Sequence, residues 1–530
     1  MKSGYTFHTT PKIVPVTQAI PGRETEMVEN LAGGIAFKVD DIVALRRWLL
    51  TGSESNLFYQ NKEELTEKNV KILTEMVAKN PVAVAEEIVY ASNHGINNHT
   101  PLLALVYLSM GNEVAKARFR AIFNFIVRTA SHLYEFMEYA KGLRGFGKLI
   151  HSVVDVWMKS KEIPNLEYQF VKYQNRYGWT SRDVLRKIKP VPRDMNESAL
   201  FGWMAGKKTE IAGFTLVSIY EMLKRDELKG DAVIKAILDY NLTHEMIPAN
   251  IERTKGIWEA LFQKMPVTAT LRNLANLTNK GIFSNLDNLK ILEEKFSKER
   301  LIKGRVHPIS IVSAYKIYSA GGALGRSQLT WKAHPVVEDI LEKAVEEAYI
   351  SLEPTGKTFY HAIDVSGSMQ NVPLDTLWMT PAEIAGIMAL ATVKAEKYYF
   401  TSAFTTTTMD FPKLRKATSF KTALAQGFFP GTPAGTNLGS AIEYATSNKI
   451  KADVLVFWTD GQTWQGRHPT QLVKDYRGKI NPDAKFIYVV LAPYANSTTL
   501  SDPRDGKSYD IAGFTTETPR LVQMIASGEL

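Results

Sequence analysis

The stretch Thr358-Phe359-Tyr360-His361-Ala362-Ile363-Asp364-Val365-Ser366-Gly367-Ser368 decides the fold. It is mostly apolar and aromatic up to Ile363 and turns polar and glycine-bearing at Asp364, the texture of a buried strand that runs into a loop. Downstream, PAEIAGIMALATVKAEK (381–397) has a helical pattern and YYFTSAF (398–404) a strand pattern. LGSAIEYATSN (438–448) is again helical, ADVLVFWTD (452–460) extended, HPTQLVKDYRGK helical, and KFIYVVLA (485–492) extended. Strands alternating with helices predict a doubly wound α/β domain over residues 356–530. In such a domain, ligands sit at the carboxyl ends of the strands.

Upstream of Leu352-Glu353-Pro354-Thr355-Gly356 the texture is different. Apolar residues recur at spacings of three and four in VDDIVALRRWLL (39–50), VKILTEMVA (70–78), AEEIVYAS (85–92) and TPLLALVYLSM (100–110), and strand-like alternation is nearly absent. Thr100 before Pro101 has the form of a helix start, with Thr100 as cap. Short helices and short loops over residues 15–355 predict an α-solenoid, although no clean sequence period repeats.

The chain has 530 residues, with 64 Lys and Arg against 55 Asp and Glu, a formal charge of +9. Most of that excess falls in the helical part, so an anionic partner is sought there first. No cysteine is present, which excludes disulfides, thiolate metal sites and a cysteine nucleophile. No secretory h-region and no bilayer-length apolar run is visible, so the expectation is a cytoplasmic protein without a membrane partner.

Three polar loops fall at predicted strand ends. Asp364, Ser366 and Ser368 follow the first strand, Thr436 lies in GTPAGTNLGS before a helix, and Asp460 follows VLVFW. Carboxylates and hydroxyls are hard ligands that suit Mg²⁺, Mn²⁺ or Ca²⁺ rather than zinc. The loops resemble the metal-ion-dependent adhesion site of the von Willebrand factor A domain, a Rossmann-like fold. That likeness implies direct contacts from Ser366, Ser368 and Thr436 and mainly water-mediated ones from Asp364 and Asp460. It also implies an open coordination position for an acidic side chain of a partner. Asn437 stands where related proteins often show Asp.

A second constellation is VKYQNRYGWTSRDVLRKIKPVPR (171–193), where Lys172, Arg176, Arg182, Arg186, Lys187, Lys189 and Arg193 meet only Asp183. The four-residue spacing predicts that Lys172 and Arg176 share a helix face that Gly178 breaks. Thr180 and Asp183 form a capping box for a second helix, with Arg182, Arg186 and Lys189 on one side and Val184, Leu185 and Ile188 packing on the other. Such a stripe suits phosphates, and Tyr173, Tyr177 and Trp179 are candidates either for base stacking or, for Trp179 in particular, for core packing. No Walker loop, GxSxG elbow or HExxH is present, and the scattered histidines point to packing or surface roles. No catalytic centre is indicated.

Taken together, NLAGG (30–34), VDDIVALRRWLLTGSE, Glu64-Leu65-Thr66, KYQNRYGWTSRDVLR (172–186), MPVTATLRNLANLT (265–278), HPI (307–309), DVSGSM (364–369), GTN (435–437), TDGQTW (459–464) and DIAGF (510–514) resemble the Ro autoantigen family, the RNA-binding TROVE-domain proteins, in a bacterial form. The resemblance covers nearly the whole chain. It implies a ring of HEAT-like repeats over 15–355 followed by a von Willebrand factor A-like domain over 356–530. It implies a non-catalytic, monomeric scaffold whose outer basic surface binds small structured Y-like RNA and whose hole takes single-stranded 3′ ends of misfolded or immature RNAs. A 3′ exoribonuclease tethered through RNA is the implied protein partner. Lys172 and Arg176 match family positions implicated in Y RNA contact, while the family's histidine after the second basic helix is replaced by Arg186-Lys187-Ile188-Lys189. The alternative is a metal-dependent protein-interaction module.

Overall fold

The computed structural model describes residues 18–38, 41–51, 62–95, 98–207, 211–304, 306, 308–322, 329–349, 354–370, 379–411, 414–420, 435–491, 498–512 and 518–529. In chain order the strands are β1 (Met27–Glu29), β2 (Ile35–Lys38), β3 (Asn175–Arg176), β4 (Trp179–Thr180), β5 (Thr358–Asp364), β6 (Tyr398–Phe404), β7 (Thr408–Asp410), β8 (Val454–Thr459), β9 (Lys485–Val490), β10 (Thr498–Thr499) and β11 (Ser508–Ala512). The chain forms two compact units, one of residues 1–72 with 349–530, the other of residues 73–348. This spatial division differs from the linear one drawn at residue 355, because the N-terminal segment belongs with the C-terminal unit.

In the α/β unit, six strands are ordered β11-β9-β8-β5-β6-β7, all parallel except β7. Period-two alternation sends Tyr360 and Ala362 of β5, Leu455 and Phe457 of β8, and Phe486 and Tyr488 of β9 to one face. There they pack with Leu438, Ile442, Leu472 and Tyr476 of the helices Leu438–Ser447 and Pro469–Lys479. The helix Pro381–Ala395 packs on β5 and β8 and is buried along nearly its whole length, which explains its almost uniformly apolar sequence. Its Thr380–Glu383 capping box and first-turn Pro381 set its start.

The N-terminal segment completes this unit. β1, β2 and β10 make a small antiparallel sheet, with Thr499 opposite Phe37. Arg23 pairs with Asp502 at 2.5 Å, and Arg47, from the helix Asp41–Thr51, pairs with Asp510 at 2.7 Å. Strands were not expected here; β1 and β2 span only three and four residues, too short for alternation to register.

The second unit is a helical array. The helix Pro81–His94 packs on Glu113–Ile126, His99–Leu108 on Ala130–Leu143, and Asp231–Tyr240 on Lys255–Lys264. The first two contacts join a helix to the next but one and the third joins consecutive helices, and both kinds recur in HEAT-like stacks. The helix at His99 begins one residue before the expected cap: Asn98 is its N-cap, while Thr100 is a buried first-turn residue. Among the described residues, no helix is long and apolar enough to cross a membrane.

Candidate RNA-binding face and metal-type site

In the helical unit the basic stripe divides among three local structures. The helix Ile163–Lys172 ends at Lys172 because Tyr173 leaves helical geometry. Arg176 lies in the β3–β4 hairpin, whose two-residue turn has Tyr177 at φ 54° and Gly178 at φ 74°. Two successive positive φ values are the requirement of a hairpin turn whose twist matches the strands. The expected shared helix face for Lys172 and Arg176 is therefore corrected: β3 interrupts the helix, yet both side chains line one cavity.

The capping box is present: the Thr180 N–H donates to Asp183 at 3.0 Å and the Asp183 N–H donates to Thr180 Oγ1 at 3.3 Å. It starts the helix Ser181–Ile188, which buries Val184 and Ile188 and exposes Arg182, Arg186 and Lys187. Lys189 follows as a left-handed cap at φ 51°, exposed but off the helical face where it was expected. Trp179 is 5% exposed, donates to Glu138 Oε2 at 2.7 Å and meets Phe146 edge-on, so it packs rather than stacks on bases. Arg193 is committed to Glu197 and to the carbonyls of Lys159 and Lys161. By contrast, among the described residues no carboxylate is ion-paired with Lys172, Arg176, Arg182, Arg186, Lys187 or Lys189.

Lys172 is half-buried between Tyr168 and Tyr173, with its ammonium 5.4 Å and 5.3 Å from their ring centroids. Burial pulls its pKa down, but Tyr173, Tyr168 and Glu245 together outweigh that and raise it. It therefore stays charged at neutral pH and adds a cation held in place by aromatic faces.

In the α/β unit, Asp364 ends β5 and Asp460 follows β8 directly. β5 pairs with β6 on one side and β8 on the other, so this edge is the topological switch point of the sheet. Asp364, Ser366, Ser368, Thr436 and Asp460 are all buried, none above 5% exposed. Asp364 accepts from the Ser366 N–H at 2.9 Å and from Thr459 Oγ1 at 2.7 Å. Ser366 and Ser368 hydroxyls lie 3.3 Å apart. Burial first, then the charge of Asp460, pushes the Asp364 carboxyl up to about 7, against the pull of the Ser366 and Thr459 hydrogen bonds.

Thr436 is fixed by its backbone, whose carbonyl accepts from the N–H groups of Trp464 and Gln465 at 3.0 and 3.1 Å. Asn437 caps the helix Leu438–Ser447 by accepting from the Ser440 N–H at 3.1 Å, which gives it a structural task. Thr459, Gln462 and Thr463 were not singled out from sequence, although TDGQT contains them; their hydroxyl and amide bonds brace the loops. Two close carboxylates and three hydroxyls are a donor set for a hard divalent ion, and their mutual repulsion is what such an ion would relieve. Among the described residues, no cluster of three or more His, Cys, Asp or Glu suggests a different metal centre. His361 is fully buried, and burial depresses its pKa to about 3 while its Nδ1 accepts from Trp458 at 3.2 Å, a packing role. His307 lies outside the described residues.

A helical array and a doubly wound domain with an adhesion-type loop set define a class of two-part protein. Comparison gives the family: the TROVE domain model matches residues 28–344 and the Ro60 vWA domain model residues 358–526, so the chain belongs to the TROVE-domain Ro family. It is 28% identical to "RNA-binding protein RO60" of Deinococcus radiodurans, over 97% of this chain and 98% of that protein. It is 27% identical to "RNA-binding protein RO60" of Caenorhabditis elegans, over 95% of this chain and 90% of that protein. The crystal structure of the Deinococcus radiodurans RO (RSR) protein superposes with a TM-score of 0.69 at 26% identity, covering 93% of this chain and all of the other.

Proposed function

We infer that this chain binds RNA and is not an enzyme. The observation that carries the reading is the exposed set Arg176, Arg182, Arg186, Lys187 and Lys189, with half-buried Lys172 beside it, none ion-paired among the described residues. Cations left without carboxylate partners have their favourable interactions still to make, and phosphates satisfy them with release of counterions. The family relatives that carry an RNA-binding name support the same reading.

At a finer level, the stripe holds a small structured, Y-like RNA by backbone contacts. The helical array closes as a ring whose hole takes single-stranded 3′ ends of misfolded or immature RNAs. The protein acts as a monomer, and any degradation belongs to a 3′ exoribonuclease tethered through the RNA. Shape and accessible ends supply specificity, and phosphates supply affinity. The test is a filter-binding salt series on a structured small RNA. Lys172→Glu/Arg176→Glu should lower affinity by about tenfold or more and flatten the log–log salt slope by ~0.9 for each phosphate that is no longer neutralised. An unchanged affinity and slope would refute this placement.

The α/β unit has a second, metal-linked task in this reading. Ser366, Ser368 and Thr436 would hold Mg²⁺, Mn²⁺ or Ca²⁺, with Asp364 and Asp460 balancing its charge. The ion would supply an electrophilic position for an acidic side chain of a protein partner. The support is the buried donor set with its two mutually repelling carboxylates.

A further inference from the structure

The α/β unit carries an exposed aromatic face that neither the basic stripe nor the metal-type loops use. Period two places Tyr398, Phe400, Ser402 and Phe404 of β6 on one face of the sheet, with Asp410 of β7 opposite Ser402. Ser402 joins the core there, its hydroxyl 2.6 Å from that of Tyr360, which donates to the Ala441 carbonyl of the helix Leu438–Ser447 at 3.1 Å. That helix covers the second half of β6, where Ser402 and Phe404 are fully buried. The first half is bare: Tyr398 is 53% exposed and Phe400 44%. Two positions along a strand separate the rings by about 6.7 Å, so they form one continuous aromatic surface left in water.

The strand starts beside this face are basic. Lys357 precedes β5, Lys397 precedes β6, and Lys449 and Lys451 precede β8. Parallel pairing gathers these starts on one edge: Tyr398 is opposite Thr358, and the Asp453 N–H donates to the Thr358 carbonyl at 2.8 Å. Lys416 is brought to β6 by its N–H, which donates to the Tyr399 hydroxyl at 3.2 Å. All five lysines are exposed, and among the described residues none is ion-paired. Carboxylates nearby are engaged by the fold. Glu396 is fully buried and accepts from the Thr355 N–H and hydroxyl, Asp453 accepts from the Thr358 N–H, and Asp410 from the Tyr444 hydroxyl. Lys397 holds its ammonium 5.1 Å from the Tyr398 ring centroid, so charge and stacking surface are adjacent.

We propose that this face of the α/β unit binds an unpaired tract of RNA, with successive bases stacked on Tyr398 and Phe400 and the phosphates held by the surrounding lysines. An acidic peptide would satisfy the lysines and leave the rings in water, and a duplex hides the faces of its bases inside the helix. A single strand offers phosphates and free π-faces together, and every base has such a face, so the contact is tolerant of sequence. The proposal rests on the RNA-binding reading and adds a surface in the other unit, where stacking works beside charge.

The experiment titrates full-length protein against a fluorescent oligouridine of about ten nucleotides and against an abasic strand of the same length and charge. Tyr398→Thr/Phe400→Thr should weaken oligouridine binding by about tenfold or more and leave the abasic strand and a structured small RNA bound as before. Threonine keeps the strand preference of β6, both replaced side chains are exposed, and an unchanged melting curve checks the fold. A 5-iodouridine in the strand should crosslink to the peptide containing Tyr398 and Phe400, a readout that needs no variant. Unchanged oligouridine affinity in the variant, with crosslinks confined to peptides of the helical unit, would overturn the proposal while leaving RNA binding intact. An equal loss of both strands would overturn it too, because the rings would then stack on no base. Loss of that crosslink to polyglutamate as readily as to unlabelled oligouridine would assign the face to an acidic protein instead. Failure of wild type to bind either the structured RNA or the single strand would sink the RNA reading itself.

Discussion

Substituting Gly34 by Ala should detach the N-terminal segment from the loop that carries Asp460. A Cβ at Gly34 would lie 1.9 Å from the Thr463 carbonyl oxygen and 2.7 Å from the Trp464 Cα. Both are backbone atoms that cannot swing aside, so the segment itself must withdraw. Three hydrogen bonds go with it: Asn30 Nδ2 to the Thr463 carbonyl at 2.8 Å, the Leu31 N–H to Gln462 Oε1 at 2.9 Å, and Gln18 Nε2 to the Gln465 carbonyl at 3.1 Å. At ~1 kcal/mol each, the docking loses about 3 kcal/mol, which corresponds to an increase of about 100-fold in local opening. Amide hydrogen exchange read by mass spectrometry is the assay, on peptides spanning residues 27–38 and 459–466. Gly478→Ala is the control: its Cβ meets nothing within 4 Å and it sits in the helix Pro469–Lys479, so helix propensity alone should slow exchange slightly. Unchanged protection in Gly34→Ala would refute the claim that this docking holds the loop.

Other perturbations separate the remaining roles. Trp179→Phe keeps the ring against Phe146 but removes the bond to Glu138, so denaturant unfolding should show a loss of ~1 kcal/mol while RNA affinity stays within twofold; a large drop in affinity would restore the stacking role. Mg²⁺ or Mn²⁺ should raise the melting temperature of the wild type, and Ser366→Ala/Ser368→Ala should abolish that rise in a thermal shift series while the metal-free curve moves little. His132 is neutral in the fold with its pKa depressed to about 4, so the unfolded chain takes up the proton first as pH falls below about 6.5. Its contribution is present at pH 7 and is lost on acidification, by about 2 kcal/mol between pH 6.5 and 5 and nothing further below about 4. Urea midpoints at pH 7 and pH 5 should therefore differ less in His132→Gln than in wild type.

How much of this was legible depends on range along the chain. TFYHAID (358–364) could be placed as a buried strand because texture is local, and the three loops at strand ends could be grouped because parallel topology gathers such ends on one edge. The hairpin at 175–180 misled: Lys172 and Arg176 have helical spacing, and Tyr177-Gly178 lacks the Asn-Gly signature that announces such a turn. Trp179 could be weighed but not decided, since its partner Glu138 comes from another helix. The pairing of β2 with β10, and the ties from Gln18 and Asn30 to the 462–465 loop, join opposite ends of the chain and leave no periodic trace. Arg272 stood inside a segment already marked as characteristic, yet nothing in its neighbours revealed that Lys172 and His132 face the same space.

The exposed stripe attracts RNA by charge alone. Exposed charges such as Arg186 and Lys187 attract any phosphate chain, and their effect decays with a screening length of ~8 Å at physiological salt. They confer affinity without distinguishing a stem from its frayed end. Raising the salt should therefore weaken the binding of a structured small RNA with a log–log slope of about −0.9 for each phosphate that the stripe neutralises. An affinity that held constant between about 50 and 200 mM salt would show that Arg186 and Lys187 touch no phosphate.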